Sequence, residues 1–179
     1  MKKVKSVSIN PNHTFSKNRV NQIKLIEGLG VEGDSHFGKN VQHRFLAKKN
    51  PNQDNLRQVH LIHFELLEEL NSKGFKVLEG DLGENITTFE IDLLSLPTNT
   101  ILKIGNAVKI KITGLRNPCL QLDNLQKGLL KAVVEKDEKG NVIRKCGVMG
   151  IVEKGGQIKV DDEIELIYPN EPYEKLICV

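Results

Sequence analysis

Apolar and polar positions alternate with a period of two through much of this 179-residue chain, the pattern of strands with one buried and one wet face. The clearest case lies in Ala107 to Cys119, where Val108, Ile110 and Ile112 alternate with Lys109, Lys111 and Thr113. Shorter runs predict strands at Val4 to Ile9, Gln22 to Ile26, Arg57 to Ile62, from Ile86 onward, at Ile101 to Ile104 and at Glu163 to Ile167. The period changes in two places. Phe64 to Lys73 sets Leu66, Leu67 and Leu70 against Glu65, Glu68 and Glu69, as an amphipathic helix stopped by Gly74 does. Beyond Gly114, Asn117-Pro118 reads as a helix start, and Leu122, Leu125, Leu129 and Val133 recur at spacings of three and four.

Short, frequent strands with two interposed helices and many glycine turns predict a mainly β fold with helical insertions, of the α+β class. The expected sheet is a closed or nearly closed β-barrel rather than a doubly wound sheet. No repeat or linker divides the chain, so residues 1–179 read as a single domain. Residues 39–56 are polar, basic and turn-rich, an exposed excursion that suits either a lid or a docking loop.

Composition adds mainly exclusions. Hydrophobic content of 39% and charged content of 27% belong to an ordinary globular protein. Aromatic content of 4% without Trp, and a net charge of only +3, argue against a nucleic-acid-binding surface. No window reaches membrane-spanning length and the N-terminal MKKVKSVSIN has no apolar signal core, so a cytoplasmic protein is expected. Cys119, Cys146 and Cys178 form no CxxC pair and are odd in number, as free thiols of an intracellular protein would be.

Candidate chemistry centres on Cys119. In the first turn of the expected helix, the positive end of the helix dipole, together with Arg116 three residues upstream, favours a thiolate, at once a nucleophile and a soft-metal ligand. The same position also suits a buried thiol at a strand-to-helix junction. The loop GLGVEGDSHFG at 28 to 38 brings Gly33, Asp34 and His36 together in a backbone able to approach a ligand, or in a simple structural turn. His60 and His63 are discounted as a metal pair.

GVEGDSHFG at 30 to 38, RQVHLI at 57 to 62, GENI at 83 to 86, IGNAVKIKITGLRNPC at 104 to 119 and KCGVMGIVEKGGQIKVDDEIEL at 145 to 166 fall in the order seen in MOSC domains. These are named after the C-terminal part of molybdenum cofactor sulfurases. The chain resembles a standalone bacterial member over about residues 28–170. The resemblance implies a MOSC-type β-barrel in which Cys119 carries sulfur as a persulfide or coordinates molybdenum of a bound pterin cofactor, with Arg116 assisting. Gly33, Asp34, His36, Arg57, Asn85, Arg116 and Arg144 are the expected cofactor contacts, with Lys145 as a further phosphate donor. Cys146 is expected to be a packed thiol and Cys178 a tail residue. The chain has no room for the pyridoxal-phosphate desulfurase domain of full sulfurases, nor for the second barrel of amidoxime-reducing relatives. Sulfur would then come from a cysteine desulfurase or other donor in trans, or electrons from a separate donor for the reduction of N-hydroxylated compounds. A noncatalytic pterin- or anion-binding module with a structural cysteine is the alternative.

Overall fold

The computed structural model describes residues 1–42 and 44–179, with the backbone alone at residues 44 to 46. Strands β1 (Lys3–Ile9), β2 (Asn18–Val20), β3 (Gln22–Ile26) and β4 (Gly30–Val31) precede helix α1 (Arg44–Lys49), which lies in the 39–56 excursion. Residue 43 of that excursion, and the side chains at 44 to 46, lie outside the described residues. Strand β5 (Val59–His63), helix α2 (Phe64–Ser72) and strand β6 (Ile86–Phe89) follow, then β7 (Ile101–Ile104) and β8 (Val108–Leu115). Two short helices, α3 (Gln121–Leu125) and α4 (Leu129–Ala132), lead to β9 (Val134–Lys136), β10 (Val142–Arg144), β11 (Val148–Lys154), β12 (Gly156–Lys159) and β13 (Ile164–Ile167).

The alternation read from β8 is realised residue by residue: Val108, Ile110 and Ile112 are buried while Lys109, Lys111 and Thr113 are only half-buried. It lies within an eight-stranded sheet of order β13-β7-β8-β11-β5-β6-β1-β2, beside a three-stranded sheet β12-β3-β4 and the hairpin β9-β10. All of these pairs are antiparallel except β5 with β6. A parallel pair needs a crossover, and α2 supplies part of it. Leu66, Leu67 and Leu70 of α2 are buried in a cluster with Ile62, Leu82, Leu122, Leu129 and Cys146. A larger cluster, containing Val4, Ile23, Leu25, Leu61, Ile110 and Val148, links the two main sheets. Burying each such aliphatic side chain stabilises the fold by about 1.5–3 kcal/mol.

Two expectations need correction. No sheet closes into a barrel: β13 and β2 remain the edges of the large sheet. The ends approach through three backbone bonds only, Val4 N to Asp162 O, Asp161 N to Val4 O and Ile164 N to Lys2 O, each 2.9 Å, in place of a continuous ladder between strands. The single helix after Asn117-Pro118 is also absent. Its apolar stripe is divided between α3 and α4: the chain turns extended at Gln126 (φ −146°, ψ 129°), and Gly128, with φ +90°, leads into α4. Among the described residues, no helix is long and apolar enough to cross a membrane.

Candidate functional site

The fold buries a charged pair between the turn after β4, which carries Asp34, and the segment ahead of β2, which carries Lys17. Lys17 Nζ donates to both oxygens of Asp34. Asp34 also accepts the backbone N–H of His36 (3.1 Å), that of Asn10 (3.2 Å) and the amide of Asn85 (3.1 Å). Burial alone would raise the Asp34 carboxyl, but the His36 bonds and the Lys17 charge outweigh it and hold it well below the usual carboxylate range. Burial lowers the Lys17 ammonium, with Asp34 opposing that shift.

Loop 80–84 presses onto this pair. Gly80 has φ +93°, and a Cβ there would stand 2.5 Å from the Lys17 carbonyl oxygen; at Gly83, φ +86°, it would stand 2.7 Å from that of Phe15. Glycine is therefore required where this loop meets the 15–17 segment. Next to it His60 is buried, and its ring nitrogen Nε2 lies 2.7 Å from the Cys146 carbonyl oxygen. Burial, followed by the charge of Arg116, pushes the imidazole down to about 3, so the ring is neutral and Nε2–H donates.

Above these groups opens a cavity of about 120 Å³, lined among others by Lys17, His36, Arg57, Asn85, Arg116 and Cys119. No carboxylate is among its lining residues. Arg116 packs its guanidinium against the Phe15 ring, 5.3 Å from the centroid, and its buried Nη1 has no hydrogen-bond partner among the described residues. Arg57 donates to the Val179 carbonyl oxygen. Burial first, then the positive charge of Arg116, lowers the Arg57 guanidinium, with Cys178 opposing.

Cys119 is half-buried at the cavity wall, its Sγ 3.5 Å from Gln121 Oε1. It precedes α3 rather than lying in a helical turn, and α3 is only five residues long. The expected helix-dipole assistance is therefore missing, and Arg116 is the charged neighbour that remains. Cys146 is buried and Cys178 exposed. Burial pushes the Cys146 thiol up to about 11, with Arg116 opposing.

Of the expected contacts, His36, Arg57, Asn85, Arg116 and Cys119 converge on the cavity. Asp34 lies beneath it and orients its floor, with His36 Nδ1 at 3.5 Å. Gly33 shapes the preceding turn at φ +82° without lining the cavity. Arg144 does not line it either, because it ends β10 in the separate hairpin. Lys145 is engaged at 2.8 Å by both Glu69 and Glu135 and is not a free phosphate donor. Phe15, Lys17 and Met149 line the cavity but escaped sequence reasoning. Nothing local marks Phe15 and Lys17, whereas burial in the GVMGIV strand could have pointed to Met149. Among the described residues, no group of three or more His, Cys, Asp or Glu side chains is placed to hold a metal.

A family model described as MOSC domain matches residues 32–165. Comparison with curated proteins finds no match. Among solved structures, the YuaD protein of Bacillus subtilis superposes with a TM-score of 0.72 at 23% identity, covering 93% of this chain and 96% of that one. YiiM of Geobacillus stearothermophilus matches at 0.65 and 17% identity, over 93% of this chain and 75% of that one. YiiM of Escherichia coli matches at 0.62 and 19% identity, over 97% and 73%. At these identities the likeness to solved structures establishes a shared fold.

Proposed function

The chain belongs to the MOSC domain family, and from that premise we propose that it acts in molybdenum-cofactor and sulfur metabolism through the thiol of Cys119. The observation that carries the reading is a half-buried thiol on the wall of a cavity that also exposes Arg57 and Arg116 and has no lining carboxylate. As a sulfur carrier, the Cys119 thiolate attacks the outer sulfur of a donor persulfide. A new S–S bond forms on Cys119, the donor's S–S bond breaks, and the donor leaves as a thiolate. Arg116 stabilises negative charge on sulfur throughout. The donor is a separate cysteine desulfurase or another sulfur donor in trans, and the setting is the cytoplasm, where free thiols persist.

A second reading, favoured by the unpartnered Nη1 of Arg116, makes Cys119 a ligand to a bound molybdenum cofactor. The donor set fits its two ends: a thiolate for the metal, and Arg57 and Arg116 for an anionic group, the Asn85 amide being engaged by the Ser8 carbonyl oxygen and Asp34. The enclosed 120 Å³ is below the roughly 300–1,000 Å³ typical of cofactor pockets, so most of the group would stay outside the enclosed part. When bound, the cofactor supplies oxygen-atom and electron transfer. The protein's own residues would hold it: Cys119 by sulfur, Arg116 by charge, and the Lys17–Asp34 pair by fixing the loop that carries His36.

The test is to purify the protein and Cys119→Ala from a host replete in molybdenum cofactor, and to measure molybdenum, pterin and protein-bound sulfane sulfur together. Sulfane sulfur on the parent protein alone supports sulfur carriage, and molybdenum with pterin lost in the variant supports the second reading. Equal content of both in the two proteins contradicts a role for Cys119.

A further inference from the structure

Resting on the sulfur-carrier reading, the structure also bears on which donor the cavity accepts. Of the three cationic side chains at its wall, Lys17 is neutralised by Asp34, with bonds of 2.6 and 2.7 Å to the two oxygens. Arg57 donates to the oxygen of Val179, whereas Arg116 keeps a buried N–H group without a partner, and among the described residues no carboxylate side chain lines the cavity. Two such guanidiniums in a poorly solvated space repel each other, and a bound dianion relieves both that repulsion and the unsatisfied donor. The cavity, about 120 Å³, has room for an oxyanion of a few heavy atoms. The Cys119 thiol lies on the same wall.

We infer that the cavity selects a small dianionic sulfane-sulfur donor of the thiosulfate type, held by Arg57 and Arg116 while Cys119 takes its outer sulfur. The thiol first gives its proton to water. The thiolate then attacks the outer sulfur, a Cys119 S–S bond forms, and the donor's S–S bond breaks with its electron pair leaving on sulfite. Thiosulfate and thiolate carry three negative charges in total, as do the persulfide anion and sulfite that result. No oxidant or reductant is consumed. Arg57 and Arg116 retain the sulfite dianion until it dissociates, so the step needs no metal and no second protein.

The experiment supplies sodium thiosulfate to the purified full chain and reads two signals, the gain of one sulfur atom on Cys119 by mass spectrometry and sulfite release. Equal amounts of both are expected, and neither from Cys119→Ser. Arg116→Gln and Arg57→Gln should load from thiosulfate about ten- to a hundredfold more slowly, the range for losing a hydrogen bond to a charged group. Arg116→Lys, which keeps the charge, should retain most of the rate. Urea unfolding of both glutamine variants should match the parent, which verifies that they are folded, and an alkyl persulfide, which lacks the sulfonate group, should lose less rate in Arg116→Gln than thiosulfate does. Loading by the alkyl persulfide but not by thiosulfate overturns this inference and leaves sulfur carriage standing. Loading by neither overturns both, and thiosulfate loading unchanged in the two glutamine variants overturns selection by the arginines.

Discussion

Lys17 Nζ bridges both carboxylate oxygens of Asp34 while the two side chains are only 4% and 0% exposed, so the floor of the cavity rests on an ion pair removed from water. Removing one partner strands the other. Lys17→Met should therefore cost about 3–5 kcal/mol, the range for breaking a buried pair from one side. Urea unfolding measures it, and a loss below about 1 kcal/mol, typical of exposed pairs, would show that water reaches Asp34.

His60 gives stability a pH dependence. Its ring is pushed down to about 3 in the fold, mainly by burial, whereas the unfolded chain takes up the proton near pH 6.5. Between these values the unfolded state binds more protons. The contribution of neutral His60 is then complete above pH 6.5 and is lost as pH falls toward 3, by up to about tenfold in the folding equilibrium per pH unit. Asp34 acts in the same sense, but only below its ordinary range near 3.9. Urea unfolding from pH 7.5 to 4.5 should show this slope in the parent and a flatter one in His60→Gln. Identical slopes would mean that His60 titrates in the fold as it does in the unfolded chain.

The three thiols should separate by reactivity. Cys146 is buried and its thiol is raised to about 11, while Cys119 is half-buried and Cys178 exposed. At pH 8 an alkylating reagent should modify Cys119 and Cys178 in the native protein, and Cys146 only after unfolding. Peptide mass mapping reads the outcome, and native modification of Cys146 at a comparable rate would contradict its enclosure.

Gly114 lets the C-terminal tail cross β8. A Cβ there would stand 2.4 Å from the Ile177 carbonyl oxygen and 2.6 Å from Val179 Cγ1. Gly114→Ala should displace the tail, break the bond from Leu115 N to Ile177 O, and cost about 1–3 kcal/mol. Hydrogen exchange at the Leu115 amide should speed up about five- to 150-fold, the factor to which about 1–3 kcal/mol corresponds. Unchanged exchange would mean that the tail does not depend on the glycine.

Where one face of an element is buried, the sequence was legible. Strand β8 kept the alternation of Val108, Ile110 and Ile112, and α2 kept Leu66, Leu67 and Leu70 on its inner side. Periodicity could not reveal the break between α3 and α4, because Leu122, Leu129 and Val133 are buried in the same cluster whether one helix or two carries them. Nor could it reveal whether the sheet closes, since that depends on pairing between β1 and β13, which are far apart in the chain. At the site, Cys119, Arg116, Arg57, His36 and Asn85 were named from motifs and do line one cavity. Lys17 was invisible because its partner Asp34 lies 17 residues away in another loop. Arg144, a contact the resemblance implied, pairs with Val134 in the β9-β10 hairpin and does not line the cavity.

The most direct test of the proposed chemistry is the intact mass of the protein after brief exposure to a low-molecular-weight persulfide, compared with Cys119→Ala. One added sulfur on the parent, mapped to the peptide containing Cys119 and missing from the variant, is the expected result. Equal sulfur on both proteins, or sulfur on Cys178 alone, would contradict Cys119 as the carrier.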